Sequence, residues 1–390
     1  MTDCGLNRRQ KFQRGVAHRV GLVAFLSAFV SIVSCSQRDA GPSKGVEVEK
    51  PLVYVAGKGI HVFRLDVERG TLSPQSAFPD AGGYFLDFHP NRTHMYAIGG
   101  GKINAYSIQP DTGALTAVNS VQPAGQGPCH LTVDNYGRNV LAANYSDGSV
   151  VVVRIEADGR LGEQTAYERH EGSSVNKSRQ EAPHAHSIML DPSNRFAFSA
   201  DLGIDKVMIY EFDAKSGRLK LNDPPSASVA PGAGPRHFAF HPSARFAYVI
   251  NELDSTVTTF RYDADAGVLS GQTPPISTVP QGFEGDNYPA EVLVHPSGRF
   301  LYGTNRGHGS VAAFEIDQED GSLATIEIQA TGGKRVQNIG IEPKGRYLLA
   351  ANEDTDTVAV FKIDQETGEL HPTKTDVRVP QPACIRFLDG

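Results

Sequence analysis

The sequence predicts an all-β fold, a seven-bladed β-propeller closed by pairing the C-terminal strand with the N-terminal strands. The frame Gly-x-Leu recurs at Gly70, Gly113, Gly159, Gly217, Gly267, Gly321 and Gly368, at intervals of 43 to 58 residues. A recurring unit of about 40 to 50 residues with four short strands is the signature of a propeller, so seven recurrences count seven blades. A second turn recurs six times, as His89-Pro90-Asn91-Arg92, Asp134-Asn135-Tyr136-Gly137-Arg138, Asp191-Pro192-Ser193-Asn194-Arg195, His241-Pro242-Ser243-Ala244-Arg245, His295-Pro296-Ser297-Gly298-Arg299 and Glu342-Pro343-Lys344-Gly345-Arg346. The missing seventh copy is the third observation. The repeat begins in mid-blade, with Leu52-Val53-Tyr54-Val55 and His61-Val62-Phe63-Arg64-Leu65, and ends in a lone strand, Cys384-Ile385-Arg386-Phe387. Joining the two halves closes the ring and removes the open edge of a last blade.

One unit, Gly234 to Leu269, shows the local grammar. Phe238-Ala239-Phe240, Phe246-Ala247-Tyr248-Val249-Ile250 and Val257-Thr258-Thr259-Phe260 are β-branched, aromatic and small apolar runs, and a fourth strand is expected from Leu269. Turn chemistry closes each run, at His241-Pro242-Ser243, at Asn251-Glu252-Leu253-Asp254 and at Asp263-Ala264-Asp265-Ala266-Gly267.

Ahead of the repeat stand two further segments. Arg8, Arg9, Lys11, Arg14 and Arg19 precede a 14-residue apolar run, Val20 to Val33, too short to span a bilayer comfortably but suited to export. Ile32-Val33-Ser34-Cys35 resembles the lipobox of a bacterial lipoprotein, which implies cleavage before Cys35 and lipidation of its sulfur. The expected organisation is a signal peptide over 1–34, a polar tether over 35–51 and the propeller over 52–390. The protein is then exported and membrane-anchored, facing the periplasm or the cell exterior. Without residues 1–34 the chain keeps 32 Lys and Arg against 43 Asp and Glu, a formal charge of −11 compared with −7 before cleavage. An acidic surface argues against nucleic-acid binding. Cys129 and Cys384 fall on non-adjacent blades, so no disulfide is expected, and no zinc-type cysteine spacing exists. A Gly-Pro-Ser-Lys-Gly match to the serine-hydrolase elbow at Gly41 to Gly45 lies in the tether, with no strand-to-helix context to support it.

Successive antiparallel strands reverse direction, which sorts the loops onto two faces. The His-Pro and Asp/Gly turns share the bottom face, so His89, His241 and His295 read as turn caps. The inter-blade connections and the Asn-x-x-x turns share the top face, where the long segments Gly162 to Pro183 and Gly271 to Pro289 lie and where sites usually reside. The starts of the inner strands converge there on the channel, bringing together Tyr84 and Phe85, Cys129 and His130, His186 and Ser187, Arg236 and His237, Ala290 and Glu291, and Gln337 and Asn338. Asn144, Asn251, Asn305 and Asn352 repeat at one turn and read as strand-end hydrogen bonders. His184, His186, Arg236, Glu252 and Arg306 break the repeat, and the chemistry is expected from them.

Ala182-Pro183-His184-Ala185-His186-Ser187, Gly234-Pro235-Arg236-His237, Asn251-Glu252-Leu253 and Asn305-Arg306-Gly307-His308, set on this repeat, resemble the seven-bladed propeller lactonases typified by bacterial 6-phosphogluconolactonase, a family similar to the fungal carboxymuconate cyclase. The resemblance covers residues 52 to 388. It implies metal-free and cofactor-free hydrolysis of a sugar lactone. His184 or His186 is then the candidate base, oriented by Glu252, with Arg236 as electrophile. Arg306, His237, Glu291, His130 and Asp201 are the expected substrate contacts, with Arg306 or Arg236 on a phosphate or carboxylate. Val336-Gln337-Asn338 stands where the family often has Pro-Arg. An exported chain would not meet a cytoplasmic phosphorylated lactone, so gluconolactone or another aldonolactone is the expected substrate, and a monomer the expected state. Two other readings stay open: a non-catalytic binding lipoprotein, favoured by Tyr248-Val249-Ile250-Asn251 and Tyr302-Gly303-Thr304-Asn305, and a cycloisomerase acting on a muconate-like diacid. The concentration of His and Arg in the blades beginning near His184 and Arg236 favours an enzyme.

Overall fold

The computed structural model describes residues 50–271 and 273–388, so the expected signal peptide, Cys35 and all but the last two residues of the expected tether lie outside the described residues. Seven antiparallel sheets form the ring. We number the blades 1 to 7 from the N-terminus. Their innermost strands are Cys384–Leu388, Phe85–Phe88, Pro128–Val133, Ala185–Leu190, Pro235–Phe240, Pro289–Val294 and Val336–Ile341. In blade 1 the strand Leu52–Gly57 pairs antiparallel with Cys384–Leu388, from Leu52 opposite Leu388 to Ala56 opposite Cys384. The ring is thus closed by the two chain ends, as the split repeat requires.

The Gly-x-Leu frame is an inter-blade contact as well as a turn. The tyrosine on the second strand of a blade donates its hydroxyl to the carbonyl of the next blade's glycine: Tyr54 to Gly113 at 2.8 Å, Tyr96 to Gly159 at 2.9 Å, Tyr248 to Gly321 at 3.1 Å and Tyr302 to Gly368 at 2.8 Å. Gly113 has φ of 71°, and a Cβ there would lie 2.8 Å from the Tyr54 hydroxyl, so both the backbone and the neighbour demand glycine. The bottom-face histidines do more than cap turns. Nδ1 of His241 and His295 meets the Ser243 and Ser297 hydroxyls at 2.7 Å, and Nε2 reaches the Gly298 and Gly345 carbonyls of the following blade at 2.8 Å.

The template blade departs from expectation in one place. Its fourth strand is only Val268–Ser270, and pairing with the third strand resumes as Ile276–Ser277. Pro274 and Pro275 intervene, and neither has an N–H to give to a ladder. Cys129 and Cys384 are buried free thiols on blades 3 and 1, with blade 2 between them.

Candidate active site

The top of the channel is shaped by a repeated irregularity. In blades 3 to 7 the inner strand carries one extra residue where it begins; in blade 6 pairing passes from Pro289–Asn305 to Val292–Gly303, and in the other four a single side chain is left over. Pairing passes from Pro128–Asn144 to His130–Ala143, from Ala185–Asp201 to Ser187–Ala200, from Pro235–Asn251 to His237–Ile250, and from Val336–Asn352 to Asn338–Ala351. The residues left over are Cys129, His186, Arg236 and Gln337. A β-bulge breaks strict alternation and re-aims a side chain. Here Cys129, His186 and Arg236 line a top-face cavity of about 420 Å³, while the Gln337 amide donates to the hydroxyl of Tyr84, another lining residue, at 2.8 Å.

Glu252, on the Asn-x-x-x turn of blade 5, is the one carboxylate among the described residues lining that cavity, and three arginines converge on it. Arg236 Nε donates to Oε2 at 3.1 Å, Arg306 Nη2 to the same oxygen at 2.6 Å, and Arg179 Nη2 to Oε1 at 2.5 Å. Burial alone would raise the Glu252 pKa, but Arg306, Arg236 and Arg179 overcome it and hold the group at about 2. Arg236 also donates to the Ala290 carbonyl at 2.6 Å, and Arg306 to the Tyr288 carbonyl at 2.7 Å. Two guanidiniums are therefore each fixed by a carboxylate and a backbone oxygen. The sequence expectation that Glu252 orients a histidine is corrected: its oxygens hold arginines.

His186 lines the cavity and is buried. Burial, then Arg236 and His237, hold its pKa well below the ordinary histidine value, so at neutral pH it is an uncharged imidazole. Cys129 Sγ lies 3.9 Å from its Nδ1, and burial pushes that thiol up to about 12, which leaves it protonated beside the imidazole. His184 is set behind this wall. Its ring stacks on Tyr145 at 4.6 Å between centroids, with Nδ1 3.0 Å from the Tyr145 carbonyl. Of the two candidate bases only His186 faces the cavity.

The expected substrate contacts separate into three levels. Arg306 is in the cavity wall. His130, His237 and Glu291 lie in the channel beneath, buried, with His237 Nδ1 2.8 Å from Glu291 Oε1 and its ring edge-on to His130 at 5.1 Å and to His186 at 5.5 Å. Asn338 Nδ2 donates to the other Glu291 oxygen, near which Arg386 also stands at 3.8 Å. Burial lowers His237 and raises Glu291, moving the pair towards its neutral form. Asp201 is a correction. It is fully buried, accepts from the His184 amide at 2.7 Å and the Gly203 amide at 2.9 Å, and holds His170 Nδ1 at 2.6 Å, so it anchors a loop and is not among the residues lining this cavity. The repeated asparagines behave as strand-end hydrogen bonders. Asn144, Asn251, Asn305 and Asn352 each donate to the Ser or Thr five residues on, at 2.9, 2.9, 3.1 and 3.2 Å.

Arg179 was not visible by repeat comparison, because it lies in a long irregular connection before His184 and at no repeated position. Its one signal is an Arg-Gln pair inside a top-face segment already marked as irregular. Arg386 was hidden for another reason, since it sits on the closing strand, read as purely architectural. Among the described residues no group of three or more His, Cys, Asp or Glu side chains is placed to hold a metal ion.

A family model described as "Lactonase, 7-bladed beta-propeller" matches residues 52–387. The chain is 37% identical over 336 residues to the 6-phosphogluconolactonase of Bacillus subtilis (strain 168), covering 85% of this chain and 95% of that one. It is 31% identical over 287 residues to the 6-phosphogluconolactonase of Klebsiella pneumoniae (strain 342), covering 71% and 81%. Among solved structures, the periplasmic gluconolactonase of Pseudomonas aeruginosa superposes with a TM-score of 0.82 at 30% identity, over 87% of this chain and 99% of that one. With the family model spanning the whole ring, the chain belongs to the seven-bladed β-propeller lactonase family.

Proposed function

We propose that this protein is a carboxylic ester hydrolase that opens a sugar lactone in the top-face cavity. The observation that carries the reading is a neutral imidazole, His186, in one cavity with three guanidiniums that share a single carboxylate. Ester hydrolysis needs a base for water and fixed positive charge where the oxyanion forms. In this reading water attacks the lactone carbonyl carbon as His186 takes its proton. Arg236 and Arg306 stabilise the oxyanion, and Glu252 keeps both from following the charge or turning to solvent. Collapse of the tetrahedral species breaks the bond from the carbonyl carbon to the ring oxygen, and the imidazolium returns its proton to that oxygen, releasing the open-chain hydroxy acid. Base catalysis of this kind contributes about 10²- to 10⁴-fold, and one oxyanion donor about 10²- to 10³-fold.

The sugar-lactone class is supported by the activities named for the Bacillus, Klebsiella and Pseudomonas relatives. We further propose that the protein is exported and lipid-anchored through Cys35, with the propeller as a monomer on the outer side of the membrane it is tied to. The basic, apolar and lipobox-like order of residues 8–35 supports export, as does the periplasmic relative. The test is a pH-stat assay of residues 36–390 on glucono-δ-lactone and its 6-phosphate, corrected for spontaneous hydrolysis. Acceleration of either supports the reading; no acceleration of both removes it.

A further inference from the structure

The three arginines around Glu252 are unequal. The side chain of Arg236 is 2% exposed and that of Arg306 13%, and each is pinned by a backbone carbonyl as well as by Glu252 Oε2. Arg179 is 33% exposed and, among the described residues, alone on Oε1; its other partner there is the Tyr145 hydroxyl at 3.5 Å. A guanidinium has five donor hydrogens, so Arg179 keeps most of its capacity for a ligand.

The arm that carries Arg179 is built rather than slack. Gln180, the next residue, is fully buried. Its amide donates to the Leu202 carbonyl at 2.9 Å and to Asp205 Oδ1 at 2.7 Å, and its oxygen accepts from the Asn176 amide at 3.1 Å. Asp205 also accepts from Ser174 at 2.5 Å and from the Gly232 and Gly234 amides at 2.6 and 2.8 Å. Asp201 holds both ends of the arm, through His170 and the His184 amide. Two buried carboxylates thus fix an arginine at the cavity rim.

Charge explains why such an arginine is worth fixing. Three guanidiniums against one carboxylate leave two positive charges unmatched within the cavity, in a chain whose overall formal charge is −7. Arg236 and Arg306 are committed at depth, beside His186, where the reacting carbonyl belongs. We propose that Arg179 is a specificity-determining residue that reads an acidic substituent of the lactone, a phosphate or carboxylate remote from the reacting ester, by taking it in place of Glu252 Oε1. This assigns recognition of the anion to Arg179, and not to Arg306 or Arg236. The proposal rests on the lactonase reading above for its catalytic test and has a binding test of its own.

The full-length protein and its Arg179→Gln and Arg179→Lys variants are assayed on neutral glucono-δ-lactone, on its 6-phosphate and on a carboxylate-bearing glucarolactone. The readout is kcat/KM on each acidic lactone divided by kcat/KM on the neutral one. Arg179→Gln is expected to lower that ratio by about 10- to 100-fold, the value of a charge-assisted contact, mainly through KM, and Arg179→Lys to restore part of it. A fall with only one acidic lactone identifies which anion is read. An unchanged ratio for both overturns the proposal, even if all three rates fall together. Calorimetric binding of 6-phosphogluconate gives the second arm, expected to weaken by a similar factor in Arg179→Gln. If the native protein hydrolyses none of the lactones, the lactonase reading fails; binding of 6-phosphogluconate that is absent, or equal in native and variant protein, overturns the Arg179 proposal by itself.

Discussion

The two faces of the ring use the same side chains for opposite purposes. On the bottom face His241 and His295 repeat one geometry, and Arg245 and Arg299 repeat another. Each arginine donates to two carbonyls of the next blade, Gln318 and Glu319 in one case and Gln365 and Glu366 in the other, at 2.9 to 3.2 Å. On the top face His186 and Arg236 share the bulge position of neighbouring blades but carry different side chains, and Arg236 and Arg306 both add a buried carboxylate, Glu252, to their backbone partners. A histidine or arginine that recurs with the blade stitches the ring, whereas one that breaks the period is available for chemistry.

Several changes should sharpen or break that contrast. The largest effect is expected from deleting Cys384–Gly390. Blade 1 loses its innermost strand and the ring its closure, so cooperative thermal unfolding should be lost; a native melting curve would show that the two ends do not close the ring. Next comes Glu252→Gln, which leaves three guanidiniums without their counter-charge. Removing one partner of a buried ionic group costs about 3–5 kcal/mol, to be read from denaturant midpoints, and activity should fall with it. On the bottom face His295→Ala removes the Nε2 contact to Gly345 and the Nδ1 contact to Ser297. It should cost only about 1–2 kcal/mol, seen as a lower Tm, with lactone hydrolysis retained.

The smallest effect concerns pH. Burial and Arg236 disfavour the His186 imidazolium, so its midpoint lies below 6.5, and the base is lost only as pH falls through that lower value. The acid limb of kcat/KM should therefore begin below pH 6.5. Glu252, held at about 2, should add no inflection between about pH 4 and 8. A midpoint at or above 6.5 would assign the limb to another group.

Much of this was legible in the chain because repetition averages out local ambiguity. Seven Gly-x-Leu turns and six Pro- or Gly-bearing turns placed the blades, the closure and the two faces. Arg236, Glu252, Arg306 and His186 were brought together as their departure from the period suggested. The misreadings came from what a period cannot encode. His184 and His186, two apart, would share a face on a regular strand, but the bulge at His186 separates them. Asp201 was expected as a substrate contact from its place on a top-face loop. Instead it anchors the arm over 170–184, and Arg179 stayed invisible because it lies in that irregular arm and not at a repeated position.

The central claim is that the top-face departures from the repeat carry the reaction, and the rate of lactone hydrolysis by His186→Ala tests it most directly. Among the described residues the His186 ring has only the 3.9 Å contact of its Nδ1 with the Cys129 thiol to lose, so the variant should melt within a few degrees of the native protein while kcat falls by about 10²- to 10⁴-fold. A variant that hydrolyses the lactone at the native rate would contradict the account.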